Sequence, residues 1–101
     1  MKDKILFEWD ANKNRINQQK HQVSFTEAES VFYDENAILF DDPDHSLEEE
    51  RFLLLGYSVL ARLLIVCHCY RDKNGSIRII SARKATRTET ETYTDFNGGV
   101  F

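Results

Sequence analysis

The stretch "RDKNGSIRIISARKAT", residues 71–86, holds a turn signal, a β-branched run, two adjacent bases and a helix-capping threonine in immediate succession. Asn74-Gly75 marks a two-residue hairpin, because both central positions of a type I′ turn need positive φ. "SIRIISA" then has the composition of a strand. Thr86 and Glu89 stand at capping-box spacing, so a last helix is expected over about 85–96, with "NGG" ending it. Arg83 and Lys84 would thus arrive together where unpaired backbone N–H groups favour an anion.

Counting back from this turn pairs Lys73 with Ser76, Tyr70 with Ile79, His68 with Ser81 and Val66 with Arg83. A second turn placed at Val59-Leu60 pairs Ser58 with Ala61 and brings Arg51 opposite His68. Side chains alternate between the faces of a sheet, so Arg51, His68 and Ser81 should form one row across three strands, with Arg83 a step along the same face. The other face would carry Phe52, Leu54, Ile65, Cys67, Cys69 and Ile80 as a core.

Upstream, "ILFEW" suits a short first strand, and Asp10 can cap a polar helix over roughly 11–20. Ser24 and Glu27 repeat the capping-box spacing, after which Phe25, Ala28, Val31 and Phe32 share a helical face. "AILF", "RFLLLGYS" and "ARLLIVCHCY" continue as strands, giving an antiparallel meander. The order is a strand, two helices, three or four strands and a helix. That order predicts an α+β fold with helices packed on one antiparallel sheet.

A length of 101 residues with 42% hydrophobic content predicts a single domain, 1–101, with a real core. There is no apolar run long enough for a membrane span and no signal-like start, so a cytoplasmic protein is expected. Cys67 and Cys69 fit free thiols better than a disulfide framework. They also flank His68 on alternating sides of a strand, so "CHC" does not read as a metal site, and no metal is expected. No phosphate loop, dinucleotide fingerprint or nucleophile elbow is present, and no cofactor is expected.

The formal charge of −4 is unevenly spread. Residues 1–50 have 5 Lys/Arg and 13 Asp/Glu, a balance of −8, whereas residues 51–101 have 8 and 4, a balance of +4. Between Asp34 and Glu50 lie eight acids and no Lys or Arg. Such a run reads first as a solvated loop; the alternative is a docking surface for a basic partner.

The cations of the second half suit a phosphate, which Arg can grip through two oxygens and Lys can attract as a mobile point charge. The ordinary pKa of a histidine suits proton transfer near neutrality, and two arginines beside His68 would favour its neutral, proton-accepting form. Read singly, each base is a surface group and a lone strand histidine is structural; their convergence favours a site. Lys20-His21 complements the dipole of the first helix, His45 lies in the Pro43 turn, and Trp9 reads as a core anchor.

"FEWD" at 7–10, "KHQVSFTEA" at 20–28, "DDPDHS" at 41–46, "EERFLLLG" at 49–56, "LLIVCH" at 63–68 and "RIISARKAT" at 78–86 together resemble the BrnT family of type II toxins over nearly the whole chain. Gln22 stands where Gly is common in that family, Cys69 where a small polar residue is usual, and the acidic tail where more bases are expected. The resemblance implies a RelE-like fold and a metal-independent endoribonuclease that blocks translation, neutralised by a DNA-binding BrnA-like antitoxin in a hetero-oligomer. On that reading the 2′-OH of RNA attacks the adjacent phosphate, His68 transfers the proton, and Arg83 and Arg51 hold the scissile phosphate. Lys84, Tyr70, Ser81 and Lys20 would contact RNA, with Tyr70 stacking a base. The competing readings are a non-catalytic module for RNA or antitoxin, and a nuclease that needs metal held by the acidic loop.

Overall fold

Asp10 opens the first helix by accepting the backbone N–H of Asn12 and Lys13 at 2.8 and 3.0 Å. In the computed structural model, which describes residues 5–44, 49–71 and 75–98, this helix is α1, Ala11–His21. It ends on Gln22 in the left-handed region, with φ 58°. Glycine adopts that conformation without strain, which explains why a Gly is at home at this position. Ser24 accepts the Glu27 N–H at 3.0 Å and starts α2, Phe25–Ser30, which tightens into a 3-10 turn at Val31–Tyr33. Thr86 and Glu89 complete a full capping box at the start of α3, Arg87–Phe96.

The strands are β1 (Phe7–Glu8), β2 (Ile38–Asp41), β3 (Phe52–Tyr57), β4 (Leu63–Tyr70) and β5 (Ile77–Lys84). They form one mixed sheet in the order β1-β5-β4-β3-β2. The expected three or four antiparallel strands are therefore five, and β1 runs parallel to β5 through Phe7↔Ile77 and Glu8↔Arg78.

Both hairpin registers differ from those counted on the sequence. Ser58 bonds to Arg62 rather than facing Ala61, because Ala61, at φ 59°, adds a third residue to the turn. Phe52 rather than Arg51 then faces His68. In the next hairpin Arg71 bonds to Ser76, and Tyr70 pairs with Ile77 instead of Ile79. Ser76 thus partners Arg71 instead of the expected Lys73; Lys73, Asn74 and His45 lie outside the described residues. Further along, β5 carries a bulge: His68 pairs with Ile79 but Cys67 with Ser81. The one extra residue turns Ser81 and Arg83 to the face of Cys67, away from His68.

Each face of the sheet has its own apolar cluster. On the α1–α2 side, Val23, Phe25, Ala28 and Val31 pack on Leu54, Leu64, Val66, Ile79 and Ala82. Trp9 joins them edge-on against Phe25, ring centroids 5.9 Å apart. On the other side Tyr93 of α3 covers Ile38, Leu55 and Ile65. Its hydroxyl donates to Asp34, whose same oxygen also accepts the Tyr57 N–H.

Asn17 ties α1 to the bulged strand. Its amide donates to the carbonyls of Val23 and Ala82, each at 2.8 Å, and accepts the Ala82 N–H at 3.1 Å. β1 is too short to reach this part of β5, so a buried side chain completes the ladder instead. Asn17→Ala leaves both polar groups of Ala82 buried without partners and should lower stability by about 2–4 kcal/mol. Urea unfolding of the two proteins measures the difference.

Candidate active site

The register places four arginines on the sheet face opposite α1 and α2. Arg83 and Arg78 come from β5, Arg71 follows β4, and Arg51 precedes β3. Arg78 pairs with Cys69 and Arg83 with Ile65, both on the α3 side. Arg51 and Arg71 lie close enough that both lower the pKa of Glu49, after the larger effect of the Cys69 thiol. Their side chains remain 32%, 49%, 33% and 39% exposed for Arg51, Arg71, Arg78 and Arg83, so each can meet a ligand.

Every one of these cations already has a carboxylate. Arg51 Nε lies 3.4 Å from Glu49, while Arg78 and Arg71 share Glu8 at 3.1 and 3.7 Å. Arg83 makes a two-pronged pair with Glu89, both bonds 2.9 Å. Glu89 also accepts the Thr86 N–H at 2.8 Å, so the capping residue of α3 doubles as the clamp on Arg83. The Arg83 bonds, helped by the cap, hold the Glu89 carboxyl down to about 2.

Between the two ends of the face lie Ser81 and Cys67, paired across β5 and β4. Burial, then the neighbouring Asp42 carboxylate, pushes the Cys67 thiol up to about 12, so it stays protonated and is no nucleophile. Arg51 and Arg83 share the face but not a pocket. The intervening rows separate them by about 13 Å along the strands, at roughly 3.3 Å per residue.

The expected row is thereby split. Arg51, Ser81 and Arg83 come together on one face, and His68 and Tyr70 lie on the other. His68 is 0% exposed, with Nδ1 3.1 Å from the Val66 carbonyl and its ring 4.8 Å from that of Phe32. Burial lowers its pKa against the opposing effect of that carbonyl. Tyr70 is half exposed beside it, its hydroxyl 3.4 Å from His68 Nε2. Lys84 follows Arg83 directly, so it points to the opposite face, near Glu27. Lys20 is exposed on α1, also across the sheet. Arg71, Arg78, Glu8 and Glu49 were not singled out from sequence, and Glu89 was read only as a helix cap; only a correct register groups them with the site.

Among the described residues, no three His, Cys, Asp or Glu side chains gather as a metal site, and no helix is long and apolar enough to cross a membrane. A family model described as ribonuclease toxin, BrnT, of type II toxin-antitoxin system matches residues 9–89. The chain belongs to the BrnT family. Membership in this family of ribonuclease toxins implies an RNA target and a protein antitoxin. The crystal structure of the Brucella abortus ribonuclease toxin BrnT is similar in fold, with a TM-score of 0.61 and 20% identity over 83% of this chain and 100% of that one. Comparison with curated proteins gives no sequence match.

Two tests follow from the placement of His68 and Glu89. Below about pH 6.5 the unfolded imidazole takes a proton that the buried one resists, so protonation favours unfolding. Stability should fall from pH 8 to pH 5, and His68→Phe should flatten that slope in thermal unfolding. Glu89 has the depressed pKa of a paired carboxyl, so its contribution is full above its ordinary 4.5 and fades as pH drops toward about 2. The gap in melting temperature between wild type and Glu89→Gln should narrow over that window.

Proposed function

We propose that this BrnT-family chain is a cytoplasmic, metal-independent endoribonuclease that blocks translation and is neutralised by a BrnA-like antitoxin. The observation that carries this reading is the gathering of the partly exposed Arg51, Arg71, Arg78 and Arg83 on one sheet face. RNA would lie along that face with successive phosphates exchanging for the resident carboxylates. Guanidinium groups suit this role because they bind phosphate oxygens in pairs and stay charged.

In the cleavage step the 2′-oxygen attacks the adjacent phosphorus and the bond to the 5′-oxygen breaks, leaving a cyclic phosphate. Arg51 and its neighbours stabilise charge on the phosphoryl oxygens. Glu49, held ionised by the Cys69 thiol and then by Arg51, takes the 2′ proton, and solvent protonates the departing 5′-oxygen. His68 has no access to RNA from its buried position, so the proton-transfer role first assigned to it passes to Glu49. Ser81 lies on the path between the two arginine groups, while Tyr70, Lys20 and Lys84 stand on the far face.

Purified protein should cleave RNA in excess chelator. Arg51→Ala should lower the rate by about 10²- to 10³-fold, the usual effect of removing a charge-stabilising donor, whereas Arg83→Ala, at the other end of the face, should weaken RNA binding more than the rate of the bound complex. A folded His68→Phe variant should keep most of its activity. Cleavage abolished by chelator would point to a metal-dependent nuclease. RNA left intact by well-folded wild type would point to a binding module.

A further inference from the structure

β2 is the outer strand of the sheet on the side away from β1. Asp42 donates its N–H to the Arg51 carbonyl at 3.0 Å. In an antiparallel pair inward and outward residues alternate, so Ile38 and Phe40 also bond inward, and Leu39 and Asp41 turn N–H and C=O outward. No described residue meets those outward groups. Sheet edges are ordinarily blunted by Lys, Pro, a bulge or a covering element. "ILFD" contains no Lys, Pro or bulge, and Leu39 and Phe40 are 51% and 36% exposed.

The surroundings select the occupant. Asp41 is exposed within the strand, with Glu35, Asp44 and Glu50 exposed nearby in sequence. A second copy of this chain would set one acidic edge against another, and like charges across a strand pair are unfavourable. We propose that β2 accepts an added strand from a protein partner, an extended segment with an apolar residue facing Leu39 and a basic residue two positions away facing Asp41. Main-chain bonds would supply affinity and the two side chains specificity. The partner is the antitoxin of the preceding subsection, so the inference rests on that reading and adds the surface. The Asp42–Arg51 bond puts this edge beside the arginine face, so a partner anchored here stands next to bound RNA.

The experiment uses the full chain co-expressed with its antitoxin. Amide hydrogen exchange at Leu39 and Asp41 should slow at least ten-fold on complex formation. Leu39→Pro removes an outward N–H while sparing the bonds to β3, and Asp41→Lys reverses the charge. Both should weaken antitoxin binding at least ten-fold and leave RNA cleavage unchanged, and wild-type binding should weaken as salt rises. Should Leu39→Pro fail to fold, Asp41→Lys decides alone. Antitoxin bound at full affinity by Asp41→Lys, or without protection of these amides, overturns the inference while the antitoxin reading stands. Protection of the same amides by self-association of the isolated chain overturns it in favour of a second copy. Absence of antitoxin binding to wild type removes the inference together with the antitoxin reading.

Discussion

Asn17 and the bulge beside it fix what this sheet shows to solvent. The bulged part of β5 extends past its two-residue neighbour β1, so its outward N–H and C=O are left for a helix to meet. The Asn17 amide supplies one donor and one acceptor to Ala82 and a second donor bond to Val23, closing that gap from α1. With the bulge held, Ala82 turns into the core and Arg83 turns out toward α3. Without the extra residue, Arg83 would point into the space now filled by Val23, Phe25 and Ala28, where an unpaired charge is prohibitively costly.

The two faces consequently have different work. Beneath α1 and α2 the polar groups are few and fully engaged: Glu27 accepts from Arg62 and from Ser58 at 2.7 Å, and Arg62 also reaches the Gln22 carbonyl. That network closes the turn after α1 onto the β3–β4 hairpin, which lets Gln22 hold its left-handed backbone. Gly56 belongs to the same packing; a Cβ there would come within 2.9 Å of Ala37. On the other face α3 covers only one end, and the remaining half buries Cys67 and Cys69 under Asp42, Glu49 and the arginine side chains.

Much of this was legible in the residues. The three helix starts rest on short-range capping chemistry, Asp10, Ser24 and Thr86 with Glu89, and all three appear where their spacing put them. Strand composition located β1 to β5, though the parallel pairing of β1 with β5 depends on a tertiary contact that no local pattern encodes. Register was the failure. The β4–β5 hairpin closes at Arg71 and Ser76, a shift of two that keeps every side chain on its face, while the two changes that flip faces turn on single residues, Ala61 in the left-handed region and one bulged position in β5. Neither site carries Gly or Asn to announce it. Both slips moved Arg51, Ser81 and Arg83 to the same side, so their companionship survived while His68 was left in the core.

The arginine face is not a simple positive patch. Glu8, Glu49 and Glu89 each neutralise a guanidinium, and the chain as a whole carries −4. Long-range attraction to a polyanion is therefore weak, unlike that of a strongly basic binder. What remains is short-range exchange, in which a phosphate replaces a carboxylate of similar charge and geometry at little desolvation cost. Such a surface gains little from a lone phosphate. It gains from a backbone whose spacing matches several guanidinium groups at once, so selectivity rests on the rigid placement of Arg51, Arg71 and Arg78 at one end and Arg83 at the other.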